Sequence, residues 1–298
     1  MYKIIDGLLS ALARLPLGVL YVISDVILYP LMRYVLRYRL NLIQLTMPKA
    51  LPGLAYTQRK RVIKKFYHHF CDYIVETIKL LHISDEEMMK RMSFKNLEVV
   101  TDALEQGRSV TLYFAHVFNW EWATSVTLHM KGEYGGREVC FGQVYRPLKN
   151  KCMDRLMLKV RSRFGSESWP KSTVFRHLIQ KKNEGVLTLT GFMSDQKPSH
   201  GDKTHVVRFL HRPTALITGT EQQCRKLDTV PVYWDMYCLG RGYYQITCRP
   251  LPLPSESESY EITDSYARML QHTIRRDPSL WLWTHNRWKK PVRYVYGK

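Results

Sequence analysis

The sequence predicts an α/β fold, a mixed central β-sheet flanked by helices and preceded by an apolar N-terminal helix. Three observations carry this prediction. From residue 109 onward, short β-branched or aromatic runs alternate with helical segments. Between residues 57 and 81, apolar side chains recur at three- and four-residue spacing. Near the start, Leu15 to Met32 is almost unbroken apolar chain. With 298 residues, 45% of them hydrophobic, there is enough apolar material for one large α/β core or two small ones.

The first element is LPLGVLYVISDVILYPLM, residues 15 to 32. As a helix it is about 27 Å long, close to the hydrocarbon thickness of a bilayer. Asp25 lies near its middle. An Asp at the centre of a span costs roughly 2.5–3.5 kcal/mol, and each Leu, Ile or Val returns about 0.3–0.6. The aliphatic residues of the run therefore about cancel the carboxylate, and Pro16 and Pro30 weaken the helix further. Arg33, Arg37 and Arg39 follow at once in RYVLRYRL. The segment reads as an interfacial anchor at least as readily as a span, with a buried core helix as the third reading. The lack of a small-residue cleavage site after the run argues against a cleaved signal peptide. The expected division is an anchor over residues 1–45 and an α/β domain over 46–298.

PKALPG, Pro48 to Gly53, closes the anchor region. Thr57 reads as an N-cap, and Val62, Ile63, Phe66, Phe70, Tyr73, Ile74, Ile78 and Leu81 form the apolar stripe of the next helix. SVTLYFA, REVCFGQV, GVLTLT, HVVRF, TVPVYW and YYQITC read as strands. LPLPSESES, Leu251 to Ser259, reads as a loop before a final helix from about Tyr260.

The net charge of +19 calls for an anionic partner: nucleic acid, an anionic membrane surface or an acidic protein. No RNP, KH, helix-turn-helix or zinc-finger signature accompanies the charge, and an apolar N-terminus has no use on nucleic acid. Six cysteines are scattered without a CxxC pair, which argues for free thiols in a reducing compartment and against a structural zinc site. The sequence suggests no metal and no cofactor.

YFAHVFNWEW, Tyr113 to Trp122, places His116 at the carboxyl end of a strand, where α/β sheets hold their ligands. Glu121 falls in the first turn of the helix that Asn119 caps. A strand–turn–helix break can fold these two side chains together. A neutral imidazole can take a proton from an attacking hydroxyl, and a carboxylate on its other nitrogen fixes the tautomer. On the residues alone, a satisfied histidine beside a surface carboxylate stands next to this reading. Lys151, Arg155, Lys159 and Arg163 line one face of a helix from Lys151 to Phe164, suited to a phosphate-rich lipid or an acidic carrier, or simply to solvent. Trp281, Trp283 and Trp288, interleaved with His285, Arg287, Lys289 and Lys290, read as core residues or as a membrane-surface belt.

Read together, the motifs resemble the lipid A lauroyl/myristoyl acyltransferase family, within the wider HX4D/E glycerolipid acyltransferases. AHVFNWEW is similar to the family's H-x-G-N-W-E block. VYRPLKN with RSRFG, SDQKP with the segment behind it, and DPSLWLWTHNRWK follow in the family's order. Phe118 stands where the family usually has Gly, and SHGDKTHVVRFLHRP replaces its glycine-rich stretch. The resemblance implies a glycerolipid-acyltransferase-like fold and a catalytic domain over 46–298. It implies His116 as general base and Glu121 as its orienting partner. Arg146 and Asn150 would bind an anionic group of the acceptor or shape the site. Arg163 would meet a phosphate or Asp195, and Asp195 and Gln196 would close the far wall. The implied donor is an acyl carrier protein thioester and the implied acceptor a lipid hydroxyl at the cytoplasmic face of the inner membrane. Another lipid acceptor, such as an aminolipid, glycolipid or pigment, and a non-catalytic basic binding protein are the competing readings.

Overall fold

Apolar stripes decide the helical N-terminal part of the computed structural model, which describes residues 2–255, 259–289 and 292. Helix α1 (Tyr2–Arg14) precedes α2 (Leu17–Ile23), which runs on through two wider π-type turns, Ser24–Leu28 and Leu31–Val35. Pro30 lies between those turns; it has no N–H to give, and wider turns accommodate its ring. Helices α3 (Leu40–Ala50) and α4 (Tyr56–Lys79) follow. The buried stripe of α4 is Ile63, Phe66, Tyr67, Cys71 and Val75, at the expected helical spacing. Its N-cap is Ala55 and not Thr57, because Gln58 accepts the Ala55 amide at 2.7 Å and lets the helix begin earlier.

Leu17–Val35 is long and apolar enough to cross a membrane, with a mean hydropathy of 1.4. One side of it is fastened to the rest of the protein by polar groups. Ser24 donates to Asp72 at 2.7 Å and Tyr21 to Glu76 at 2.8 Å. Arg241 grips Asp25 at 2.7 and 2.9 Å while holding Asp72 at 2.6 and 2.9 Å. The charge that argued against a span thus has a cation of its own. Val19, Val22, Val26, Ile27 and Val35 remain exposed on the outer side.

Helix α5 (Asp85–Arg91), capped by Ser84, leads into β1 (Met92–Lys95), and α6 (Glu98–Glu105) leads into β2 (Val110–Phe114). After a 3-10 segment (Trp120–His129) come β3 (Glu133–Tyr134), β4 (Arg137–Tyr145), α7 (Lys151–Arg161) and β5 (Glu167–Pro170). Next are α8 (Val174–Asn183), β6 (Leu187–Met193), the hairpin β7 (Thr204–Phe209) and β8 (Arg212–Ile217), and α9 (Gly219–Leu227). Strands β9 (Val230–Gly240) and β10 (Tyr243–Pro250) and helix α10 (Glu261–Arg276) complete the order.

The main sheet runs β1-β10-β9-β2-β6-β4-β3, with β5 also on β4. β2 is parallel to both neighbours, β9 and β6, while β9 and β10 are antiparallel, so the sheet is mixed. All five residues of β2 are buried, as expected of a strand covered on both faces. HVVRF does not join this sheet. It pairs with β8 in a hairpin of its own, because Leu210 and His211 both take left-handed φ values of 47° and 60° and turn the chain straight back. One apolar core runs from Leu17 through Phe66 and Val110 to Trp283.

Candidate active site

β2 and β6 lie side by side and parallel, with Phe114 opposite Met193. The second residue beyond each pair partner is therefore brought to the same carboxyl edge: His116 from β2 and Asp195 from β6. The His116 ring Nδ1 lies 2.7 Å from Asp195 Oδ1, and the His116 backbone N–H donates to Oδ2 at 3.3 Å. Trp281 Nε1–H donates to the same Oδ2 at 2.9 Å. Burial pushes the Asp195 carboxyl up, but the facing His116 and the hydrogen bonds from His116 and Trp281 outweigh it and hold the group below the ordinary carboxylate range. An ionised Asp195 only accepts, so Nδ1 carries the ring proton and Nε2 is left as the lone-pair nitrogen. Gln196 Nε2 lies 3.0 Å from that nitrogen and donates to it.

Glu121, expected to orient His116, makes its own contacts elsewhere. It is 2% exposed and forms a two-pronged pair with Arg161, at 2.9 Å from Nε and 2.7 Å from Nη2. It also accepts from Trp120 Nε1 at 3.0 Å. Burial raises its carboxyl, and Arg161 more than reverses that, so the pair is ionised. The Trp120 ring stands edge-on to the His116 ring at 5.0 Å between centroids. Glu121 thus braces the aromatic wall beside His116, and Asp195 occupies the Nδ1 position. Sequence reading passed over Arg161 in favour of Arg163; its place at the start of RSRFG was the available signal.

A cleft of about 950 Å³, counted to its open mouth, is lined by His116, Tyr145, Arg146, Lys171, Phe192, Gln196 and Lys197 among others. Arg146 is exposed there and has no ion pair among the described residues, whereas Lys171 is paired with Asp202 at 2.7 Å. Asn150 is not among the lining residues. Its Oδ1 caps α7, accepting from the amides of Cys152 and Met153. Arg163 donates to the Ile83 carbonyl at 3.0 Å and to Asp85 at 3.2 Å rather than to Asp195. Within the basic stripe, Lys159 is paired with Asp6 at 2.8 Å.

The WLWTHNRWK segment is not a surface belt. Trp281 and Trp283 are buried at 3% and 1% exposure, because their indole N–H groups find Asp195 and the Pro278 carbonyl inside the protein. Burial pushes His285 down to about 4, so it stays neutral and accepts the Lys197 amide at 3.2 Å. That bond anchors the chain just beyond Gln196. Lys290 lies outside the described residues.

A narrow apolar cavity adjoins the site. Leu112 and Phe114 of β2 border it, with Trp120, Ala123, Leu189 and Trp234. Trp120 separates it from His116. Gly191, also on its lining, has no room for a side chain, since a Cβ there would stand 2.9 Å from Phe114 Cε1. Among the described residues no group of His, Cys, Asp and Glu is arranged to hold a metal ion.

A half-buried base with a fixed tautomer, a basic cleft on one side and an apolar slot on the other suit transfer chemistry on an amphiphile. No curated protein matches the chain. Residues 6–290 match the sequence pattern of the bacterial lipid A biosynthesis acyltransferases, and the chain belongs to that family.

Proposed function

We propose that the protein moves a fatty acyl chain from an acyl carrier protein thioester to a hydroxyl of a lipid A precursor at the cytoplasmic face of the inner membrane. Family membership supports an acyl donor and a lipid acceptor. The observation that carries the finer reading is the Asp195–His116 pair, whose Nε2, covered only by Gln196, faces a basic cleft beside an apolar cavity. Nε2 takes the proton of the acceptor hydroxyl as its oxygen attacks the thioester carbonyl. The tetrahedral adduct collapses, the C–S bond breaks, and the imidazolium returns the proton to the leaving thiolate. Asp195 stabilises the imidazolium while it lasts. Gln196 gives up its bond to Nε2 when the hydroxyl arrives. Arg146 and Lys197 face acceptor phosphates, and the acyl chain enters along the narrow apolar cavity as its lining side chains move apart.

The direct route needs no nucleophilic Ser or Cys. The test is single turnover with radiolabelled acyl carrier protein and a lipid A precursor. Ester product should form without any acyl-protein species. A stoichiometric acyl adduct on the protein would overturn the direct mechanism. Lipid profiling of a strain lacking the protein identifies the acceptor, and loss of an acyl chain from a lipid other than lipid A would overturn that part.

A further inference from the structure

Away from His116, a second hollow opens between the Leu31–Val35 turn, α3 and the first turns of α4. It shares no lining residue with the cleft at His116 and encloses about 1030 Å³ counted to its open mouth. Four cations line it, Arg33, Arg59, Lys60 and Lys64, and no Asp or Glu does. None of the four makes an ion pair among the described residues. Tyrosines hold two of them in place: Arg33 lies 5.5 Å from the Tyr34 ring centroid and Lys60 lies 4.4 Å from that of Tyr56. Arg59 donates to the Leu54 carbonyl. Four like charges around one hollow repel each other, so the arrangement calls for an anion.

The neighbourhood says which kind. Val35, Leu36 and Leu45 are exposed beside the hollow at 71%, 57% and 66%. Soluble domains rarely present such aliphatic groups together without a partner. Tyr34 and Tyr56, also exposed, carry the ring-and-hydroxyl chemistry of membrane interfaces. Met47 and Ile63 make an apolar floor. The Asp25–Arg241 grip fixes the helix that forms one wall, so the hollow is set before any ligand arrives.

We infer that this hollow binds the phosphodiester headgroup of an anionic glycerophospholipid of the bilayer on which the protein sits. The lipid's acyl chains run out beside Val35 and Leu45. The site is separate from the acceptor cleft, and the inference rests on the proposed function only in placing the protein at a bilayer.

The test uses the full chain and flotation with vesicles of phosphatidylcholine alone or with added phosphatidylglycerol. One variant removes the four cations of the hollow (Arg33→Gln, Arg59→Gln, Lys60→Gln, Lys64→Gln). A second removes four exposed cations nearby (Arg37→Gln, Arg39→Gln, Lys49→Gln, Arg61→Gln). The first should lose at least about tenfold of the phosphatidylglycerol-dependent partitioning, and the second clearly less. Equal losses would mean diffuse attraction and overturn the site, as would no loss in either. A photoreactive phosphatidylglycerol should label the segment from Tyr56 to Lys64; labelling only of the His116 cleft would overturn it. Competition by inorganic phosphate as strong as by short-chain phosphatidylglycerol would reduce the hollow to a phosphate site. Retained vesicle binding with lost binding of acyl carrier protein would assign it to that protein instead. None of these readouts requires acyl transfer, so failure of the proposed reaction is seen separately.

Discussion

His116 and Asp195 are 79 residues apart in the chain and 2.7 Å apart in the fold, joined through Nδ1 and Oδ1. Asp195→Asn keeps the shape but replaces an acceptor-only carboxylate with an amide, which no longer fixes the tautomer. The expected result is a fall in kcat of at least about a hundredfold with little change in Tm, and His116→Ala should fall as far. Glu121→Gln should differ. It leaves the half-buried Arg161 guanidinium against a neutral amide in place of its carboxylate, at a cost of about 1–3 kcal/mol. A drop in Tm accompanied by partial activity at low temperature is expected. Thermal denaturation alongside kinetics decides the matter: full stability with hundredfold loss in Glu121→Gln would return the orienting role to that residue.

Glu76 sets a pH dependence of stability. It is fully buried on α4 and accepts from Tyr21, Asn119 and Tyr244. Burial pushes its carboxyl up to about 7, although those hydrogen bonds favour the ionised form. The folded protein therefore holds the proton more tightly than the unfolded chain does. That contribution to stability is complete below the unfolded carboxylate value and is lost as pH rises toward 7, by at most a few kcal/mol. Tm should fall between pH 5 and 8, and Glu76→Gln should flatten that fall. An unchanged slope in the variant would assign the dependence to another group.

The apolar cavity makes a prediction about donor length. Ala123 lines it and is 2% exposed. Ala123→Leu fills part of the space and should shift preference toward shorter acyl donors. Each methylene excluded is worth about 0.8 kcal/mol, roughly fourfold in kcat/KM. Competition between acyl carrier protein thioesters of different length reads the shift directly; an unchanged preference would place the acyl chain elsewhere.

Arg241→Ala should loosen the N-terminal helix. It leaves Asp72, which is 4% exposed, without its cation, and Asp25 without its main one. The expected signs are a Tm lower by several degrees and faster limited proteolysis between residues 36 and 39. Protection equal to wild type would show that apolar packing alone holds the helix.

Much of this architecture was legible because the pattern was local. The strand runs SVTLYFA and GVLTLT, the α4 stripe and the onset of α10 are matters of local pattern, although the second strand runs on to Met193. His116, Asp195 and Gln196 were each picked out by their motifs, and the fold brings the three side chains together. Their pairing was not, because it depends on which strands lie side by side. Short sequence spacing favoured Glu121 as the partner of His116, and only the register of β2 on β6 reveals Asp195. The same limit hid Arg161 behind Arg163, and Arg241 as the counter-ion of Asp25. WLWTHNRW allowed both a core and a surface reading, since composition does not say where an indole N–H will find its acceptor.

The bond between Asp25 and Arg241 also bears on how the protein is made. The two residues are 216 positions apart. At about 5–20 residues per second, synthesis of the second follows the first by roughly ten to forty seconds. Throughout that interval the apolar run has emerged without the arginine that matches its carboxylate, and its polar ties are those of Ser24 and Tyr21 to α4. Whether it lies along the surface or threads the bilayer is settled in this window, by competition between insertion and the arrival of a single arginine. The order of translation is thus part of what determines the topology.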